Sequence, residues 1–367
     1  MAVRIGVIGV GFGAKVHIPA YQAEGLEVVA VCARRAERGA DAADRFGVPN
    51  VFTDHREMLK MPGLDAVTVA SPRPLHYEMT MDALEAGKHV ICEKPFATQL
   101  HQARQMWEAS RHADVTSMVA HEFRFAPARA LARGLIHDGY IGKLQMATVS
   151  VMRRNDSLFE DALWSDADDA AAGNGLLWSQ GSHYVDCLRH WFGEVTTVSG
   201  KVFTHAPPRI VDDSGQTALP TADDAFTFTL EFEDGGWATM TASYASAHGP
   251  GVRVEVYGTD GTLVTPQPNV DSPNPPPHGK LLGARVGHSE LAEIPIPEWL
   301  DPYHDEGHEG LMPMRMLARE FVRGVESGTS PSPSFYDGYR CQQVLHAVRE
   351  SSRTGREVVI PPGDIDS

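Results

Sequence analysis

Two architectures in series are predicted for this 367-residue chain: an α/β doubly wound parallel sheet, then an α+β domain with a mainly antiparallel sheet. Three observations carry that reading. Short apolar runs alternate with helix-patterned segments up to about residue 122, as βαβ units require. A glycine-rich turn directly follows the first apolar run. Beyond residue 122 the runs lengthen and several alternate with period two, which suits a sheet with one buried face.

Residues 3–8 form the first apolar run, and Val28 to Cys32 the second. A helix is expected over Ala36 to Phe46, a strand over Asp65 to Ala70, and a helix over Tyr77 to Ala86 ended by Gly87 as a left-handed cap. His89 to Cys92 is the next strand, Thr98 to His112 the next helix, and Val115 to Ala120 the last strand of the series. The second domain is expected to hold strands over Leu144 to Met152, Val195 to Thr204, Ala225 to Glu233, Trp237 to Ser243 and Val252 to Tyr257. Phe226-Thr-Phe-Thr-Leu-Glu-Phe232 shows the alternation, and Glu233-Asp-Gly-Gly236 reads as a hairpin turn. Helices are expected near Pro127–His137, His183–Trp191, Gly310–Ser327 and Phe335–Arg353, and loops over 205–223 and 266–279. The expected domains are 1–122 and 123–367.

Composition narrows the function. The formal net charge of −16 disfavours nucleic-acid or anionic-membrane partners, which are held by Lys and Arg. With 42% hydrophobic and 22% charged residues the chain can bury an ordinary core. Cys32, Cys92, Cys187 and Cys341 are scattered without metal-ligand spacing, so isolated buried thiols in a reducing compartment are expected. Arg4 followed by Ile5 to Ala14 imitates a signal peptide, but its four glycines make a poor hydrophobic helix. A cytoplasmic location is expected.

Gly9-Val10-Gly11-Phe12-Gly13-Ala14 fits G-x-G-x-x-G/A between a strand and a helix. Gly9 permits the tight turn and Gly11 the approach of a pyrophosphate. Ala14 is expected to allow close helix–strand packing, and the helix N-terminus to offer free N–H donors. These residues point to a dinucleotide. Where an acid would bind the ribose 2′-hydroxyl of NAD, the chain has Ala33-Arg34-Arg35. Guanidiniums suit a 2′-phosphate, so NADP is favoured over NAD. The alternative is that both arginines are solvated and NAD is bound without an acid.

Ser71-Pro72 follows the next strand of the series, then His76, and His89-Val-Ile-Cys-Glu93-Lys94-Pro95 closes the one after. With His121-Glu-Phe-Arg124-Phe-x-Pro127, Gly139-x-x-Gly142, Gly181-Ser-His183-x-x-Asp186, Gly258-Thr-Asp-Gly261, Asp337-Gly338 and Thr354-Gly355-Arg356, the chain resembles the Gfo/Idh/MocA oxidoreductase family over nearly its whole length. The resemblance implies a Rossmann domain and an open-faced antiparallel sheet that often supports homodimers or homotetramers. It also implies a substrate site between the domains, beneath a nicotinamide whose surroundings would include Ser71, Pro72, His76, Glu93, Lys94 and Pro95. Lys94 matches the family's active-site lysine, and the peptide before Pro95 is often cis in the family. An ammonium bonded to the reacting oxygen favours alkoxide character in one direction and polarises a carbonyl in the other.

His183 matches the family's proposed acid/base, and imidazole titrates near working pH. One departure stands four residues earlier, where many sugar and cyclitol dehydrogenases of the family have Asp and this chain has Ser179. Serine cannot support the histidine as a carboxylate would. Either His183 works with Lys94 alone, or an acid such as Asp186 compensates, or substrate hydroxyls are bound differently. Arg124 is read either as a substrate ligand or as one half of a salt bridge, and Trp164 and Trp178 either as sugar platforms or as packing. The cluster His304-Asp-Glu-Gly-His308-Glu309 is discounted as a metal site because Gly307 and Pro302 break the helix it would need. The expected activity interconverts a secondary alcohol and a ketone on a sugar, cyclitol or related polyol. The alternatives are a glycosidase or lyase using tightly bound NAD for transient oxidation, and a non-catalytic dinucleotide-binding regulator.

Overall fold

The computed structural model describes residues 2–159, 163–211, 214–267, 279–302 and 311–363. These divide into two compact units, 2–125 with 311–342, and 126–302 with 343–363. The first division falls three residues after the expected boundary. The return of 311–342 to the first unit is a feature that one cut in the sequence does not contain.

In the first unit, strands β1 (Arg4–Ile8), β2 (Glu27–Cys32), β3 (Asn50–Phe52), β4 (Ala66–Val69), β5 (His89–Cys92) and β6 (Ser117–Val119) pair in the order β3-β2-β1-β4-β5-β6. Every pairing is parallel. Helices α1 (Ile18–Ala23), α2 (Ala36–Phe46), α3 (His55–Leu59), α4 (His76–Glu85) and α5 (Leu100–His112) connect them. β3 and α3 were not expected: a three-residue strand with Asn50 and Val51 exposed offers no apolar run. Gly87, at φ 66°, ends α4 as the sequence predicts. Alternate strand residues feed two apolar layers. Ile8, Val67, Val69, Val90 and Cys92 pack with α4 and α5, while Ile5, Val7, Val28 and Ile91 pack with α1.

The second unit begins with α6 (Pro127–His137), β7 (Leu144–Met152), α7 (Ser182–Phe192) and β8 (Val195–Phe203). The 205–223 stretch expected as loop carries a small ribbon, β9 (Arg209–Ile210) with β10 (Thr217–Ala218). β11 (Ala225–Phe232), β12 (Trp237–Ser243), β13 (Gly251–Gly258), β14 (Gly261–Gln267), β15 (Leu282–Arg285) and β16 (Ala292–Glu293) follow. Helix α8 (Leu311–Ser327) belongs to the first unit, where Met314, Leu317, Ala318 and Phe321 complete the α1 face. Helix α9 (Phe335–Thr354) and β17 (Val358–Val359) close the described chain.

The large sheet runs β16-β15-β14-β13-β7-β12-β11-β8-β17. It is mixed rather than wholly antiparallel, because β12 lies parallel to β7. Phe226, Phe228 and Leu230 are buried on one face, while Thr227 and Glu231 are exposed on the other, as the alternation requires. Gly235 and Gly236, at φ 90° and 78°, make the β11–β12 hairpin. Among the described residues no helix is long and apolar enough to cross a membrane, and no cluster of three His, Cys, Asp or Glu could hold a metal. His304 to Glu309 lie outside the described residues.

Candidate active site

In doubly wound sheets ligands meet the carboxyl ends of the strands where strand order reverses, here between β1 and β4. Gly9 leaves β1 at φ 102°, and a Cβ there would run into the Ala70 carbonyl beyond β4. A Cβ on the exposed Gly11 would meet nothing, so its backbone is open to a pyrophosphate. The close helix–strand approach expected of Ala14 falls on Gly13, whose added Cβ would sit 2.8 Å from Val7 Cγ1; Ala14 is half-buried against the core. The helix begins as one π-turn, Gly13–His17, before α1. Phe12 stands 38% exposed beside the turn. These residues fit a dinucleotide.

At the end of β2, Ala33 is buried, and Arg34 and Arg35 are exposed just before α2, with Arg38 exposed in its first turn. None of the three guanidiniums has an ion-pair partner among the described residues.

Lys94 follows β5, half-buried, and its peptide bond to the buried Pro95 is cis. Burial pushes its ammonium below the ordinary lysine range; the carboxylates of Glu122 and Glu93 oppose that shift and Arg73 adds to it. Glu93 is buried with both oxygens engaged: Oε1 lies 2.7 Å from His17 Nε2, and Oε2 accepts the Lys94 N–H at 3.0 Å. Burial alone would raise its carboxyl, but the His17 hydrogen bond and the charges of His17, Lys94 and His76 hold it below the usual range. Both Glu93 carboxylate oxygens are thus hydrogen-bonded within the unit. His76 is buried too, with Nδ1 3.0 Å from the Pro95 carbonyl and Nε2 3.0 Å from that of Ser71, so it ties the two loops together. Ser71 is half-buried and Pro72 exposed at the strand ends. His17, Arg73 and Glu122 carry no role in the sequence reading. The available signal was a histidine one turn past the glycine motif.

Arg124, 3% exposed, donates to Ser332 Oγ at 2.5 Å and has Asp337 at 4.0 Å.

In the second unit a π-turn, Leu177–Gly181, runs directly into α7. It sets Ser179 and His183 one turn apart on a continuous helical segment, and π-turns recur at functional sites. His183 is 2% exposed and Asp186 fully buried. Ser179 is half-buried and donates to the Leu176 carbonyl at 3.3 Å. Asp223 anchors the start of this segment: its Oδ2 accepts the Leu177 N–H and its carbonyl the Leu176 N–H, both at 2.7 Å. Trp178 is buried, with the Arg349 guanidinium 5.8 Å over its ring and His346 edge-on at 5.1 Å. Trp164 is half-buried and donates its backbone N–H to Ile210 at 2.8 Å.

Residues 3–121 match the oxidoreductase family with the NAD-binding Rossmann fold, and residues 130–264 match the GFO/IDH/MocA C-terminal domain. The levoglucosan dehydrogenase of Pseudarthrobacter phenanthrenivorans is 30% identical over 98% of this chain and 98% of its own. The D-xylose 1-dehydrogenase (NADP(+)) 2 of Haloferax volcanii is 28% identical over 96% of this chain and 98% of its own. A solved levoglucosan dehydrogenase in complex with NADH and L-sorbose is similar at a TM-score of 0.87 and 28% identity, covering 98% of this chain and all of that one. With the glycine turn and the Glu93-Lys94-Pro95 strand end, these matches make the chain a member of the Gfo/Idh/MocA oxidoreductase family, a nicotinamide-dependent enzyme of the dehydrogenase/reductase type acting on CH–OH groups.

Proposed function

We propose that the protein interconverts a secondary alcohol and a ketone on a sugar or related polyol, and that it prefers NADP. The observation that carries the reaction is Lys94: a half-buried ammonium with a lowered pKa, backed by Glu93 and Glu122 at a strand end beside the glycine turn. A bound nicotinamide supplies the hydride acceptor, or the donor in reverse. The backbone at Gly9 and Gly11 would hold the pyrophosphate end, with Gly13 letting the helix pack close behind it. Lys94 donates a hydrogen bond from Nζ to the reacting oxygen, which orients the alcohol and stabilises alkoxide character. His183 takes the hydroxyl proton and returns it in the reverse direction. Ser179 offers a hydroxyl in place of a carboxylate and lends His183 no charge. Relatives named for levoglucosan and D-xylose support a sugar as substrate.

Arg34, Arg35 and Arg38 support the NADP preference, since three exposed guanidiniums stand where an acid would bind the ribose of NAD. Thermal unfolding of dialysed protein with each dinucleotide tests it. A ligand at 100 times its Kd stabilises by about 2.7 kcal/mol. The larger shift is expected with NADP(H), and Arg34→Ala with Arg35→Ala should remove that advantage while sparing the response to NAD(H). A larger response of the unmodified protein to NAD(H) would overturn the preference. Turnover is then read by nicotinamide absorbance over a sugar panel that includes levoglucosan and D-xylose.

A further inference from the structure

Four buried polar side chains of the first unit form one unbroken chain. Thr68 Oγ1 in β4 lies 2.7 Å from the Tyr21 hydroxyl in α1, which lies 2.8 Å from His17 Nδ1. His17 Nε2 in turn lies 2.7 Å from Glu93 Oε1. Thr68, Tyr21 and His17 are fully buried and Glu93 is 6% exposed. An ionised carboxylate only accepts, so His17 Nε2 donates to it. The other carboxylate oxygen accepts the Lys94 N–H. On the near side, the Phe12 ring meets the His17 ring edge-on with centroids 5.6 Å apart. Valine, phenylalanine and leucine would fill the volumes of Thr68, Tyr21 and His17 without the cost of burying polar groups. The polar set therefore calls for a purpose beyond filling space.

We propose that His17 and Tyr21 are positioning residues for Lys94: they fix the Glu93 carboxylate behind it and join the dinucleotide-binding turn to the lysine that meets the reacting oxygen. The inference rests on the role proposed above for Lys94. Glu122, Glu93 and Arg73 act on that ammonium. With its donor removed, Glu93 is left to the burial that raises its carboxyl, holds less charge, and supports the ammonium less.

The test compares Tyr21→Phe, His17→Leu and His17→Gln with the unmodified protein, each alone and combined with Lys94→Ala. The first readout needs no substrate: the rate at which an amine-reactive reagent labels Lys94 at neutral pH, followed by peptide mass spectrometry. His17→Leu, which removes the donor to Glu93, should label about threefold faster, and Tyr21→Phe, which removes only the partner of His17 Nδ1, should label faster by a smaller factor. His17→Gln, whose Nε2 can still donate to Glu93, should stay near the unmodified rate. The second readout is turnover of levoglucosan and D-xylose. Tyr21→Phe should lower kcat about tenfold, the worth of one lost hydrogen bond in a buried network. It should leave the dinucleotide Kd and the KM for sugar unchanged. In the Lys94→Ala background Tyr21→Phe should have no further effect. Unchanged labelling in both Tyr21→Phe and His17→Leu overturns the inference, as does an equal loss of kcat with or without Lys94. Full activity of Lys94→Ala overturns the role of the lysine instead, and labelling still decides whether the chain acts on it.

Discussion

Lys94 differs from an ordinary surface lysine through what surrounds it. Burial lowers the pKa of its ammonium while Glu122 and Glu93 oppose that shift, so a compact hydrogen-bond donor is held beside two carboxylates. Arginine keeps the charge but presents it as a larger planar fork, which cannot place one donor on the reacting oxygen as the compact ammonium does. Lys94→Arg should therefore lose turnover by about 10²-fold or more while still binding dinucleotide, measured by kcat beside a thermal shift. At this scale the tight turn at Gly9 and the open backbone at Gly11 were legible because both stand in a local string. His17, Tyr21 and Thr68 were not, because Thr68 meets Tyr21 across 47 positions and His17 meets Glu93 across 76. A lone threonine in the apolar run Ala66-Val-Thr-Val69 was the trace they left in the sequence.

The element that carries His183 is held at its start by Asp223, a residue of the stretch expected as loop. Burial pushes the Asp223 carboxyl up to about 6, against the Leu177 N–H and Arg349 that favour its ionised form. Between its ordinary range and about 6 the folded chain keeps a proton that the unfolded chain has released. Its contribution to stability is therefore present at low pH and lost as pH rises through about 6, by at most about 3 kcal/mol. Asp223→Asn keeps an acceptor for the Leu177 N–H and cannot titrate. Its stability relative to the unmodified protein should improve between about pH 4.5 and about pH 7 in urea unfolding. A constant difference would mean that Asp223 is ionised throughout. Elements with periodic burial, such as β11 and α2, were legible almost to the residue. Elements made by pairing alone, such as β3, β9, β10 and β16, were not, since two or three residues define no period.

Across the whole molecule the dinucleotide unit is completed by α8, about 300 positions beyond the strand whose face it covers. Phe321 is fully buried in the same layer as Ile5, Val7, Val16 and Tyr21. Phe321→Ala should destabilise the protein by about 3–5 kcal/mol, and the loss should appear in the transition that responds to dinucleotide. Loss confined to a transition indifferent to dinucleotide would contradict this division of the chain. Composition set aside nucleic-acid partners, the glycine turn pointed to a dinucleotide and the family strings to an oxidoreductase, while the long-range return of α8 had no local signature. The central claim, a lysine that meets the reacting oxygen of a sugar, is tested most directly by Lys94→Ala, with turnover and dinucleotide binding measured on one preparation. The account predicts an unchanged dinucleotide thermal shift with kcat reduced about 10²- to 10⁴-fold. Turnover at the unmodified rate would contradict it.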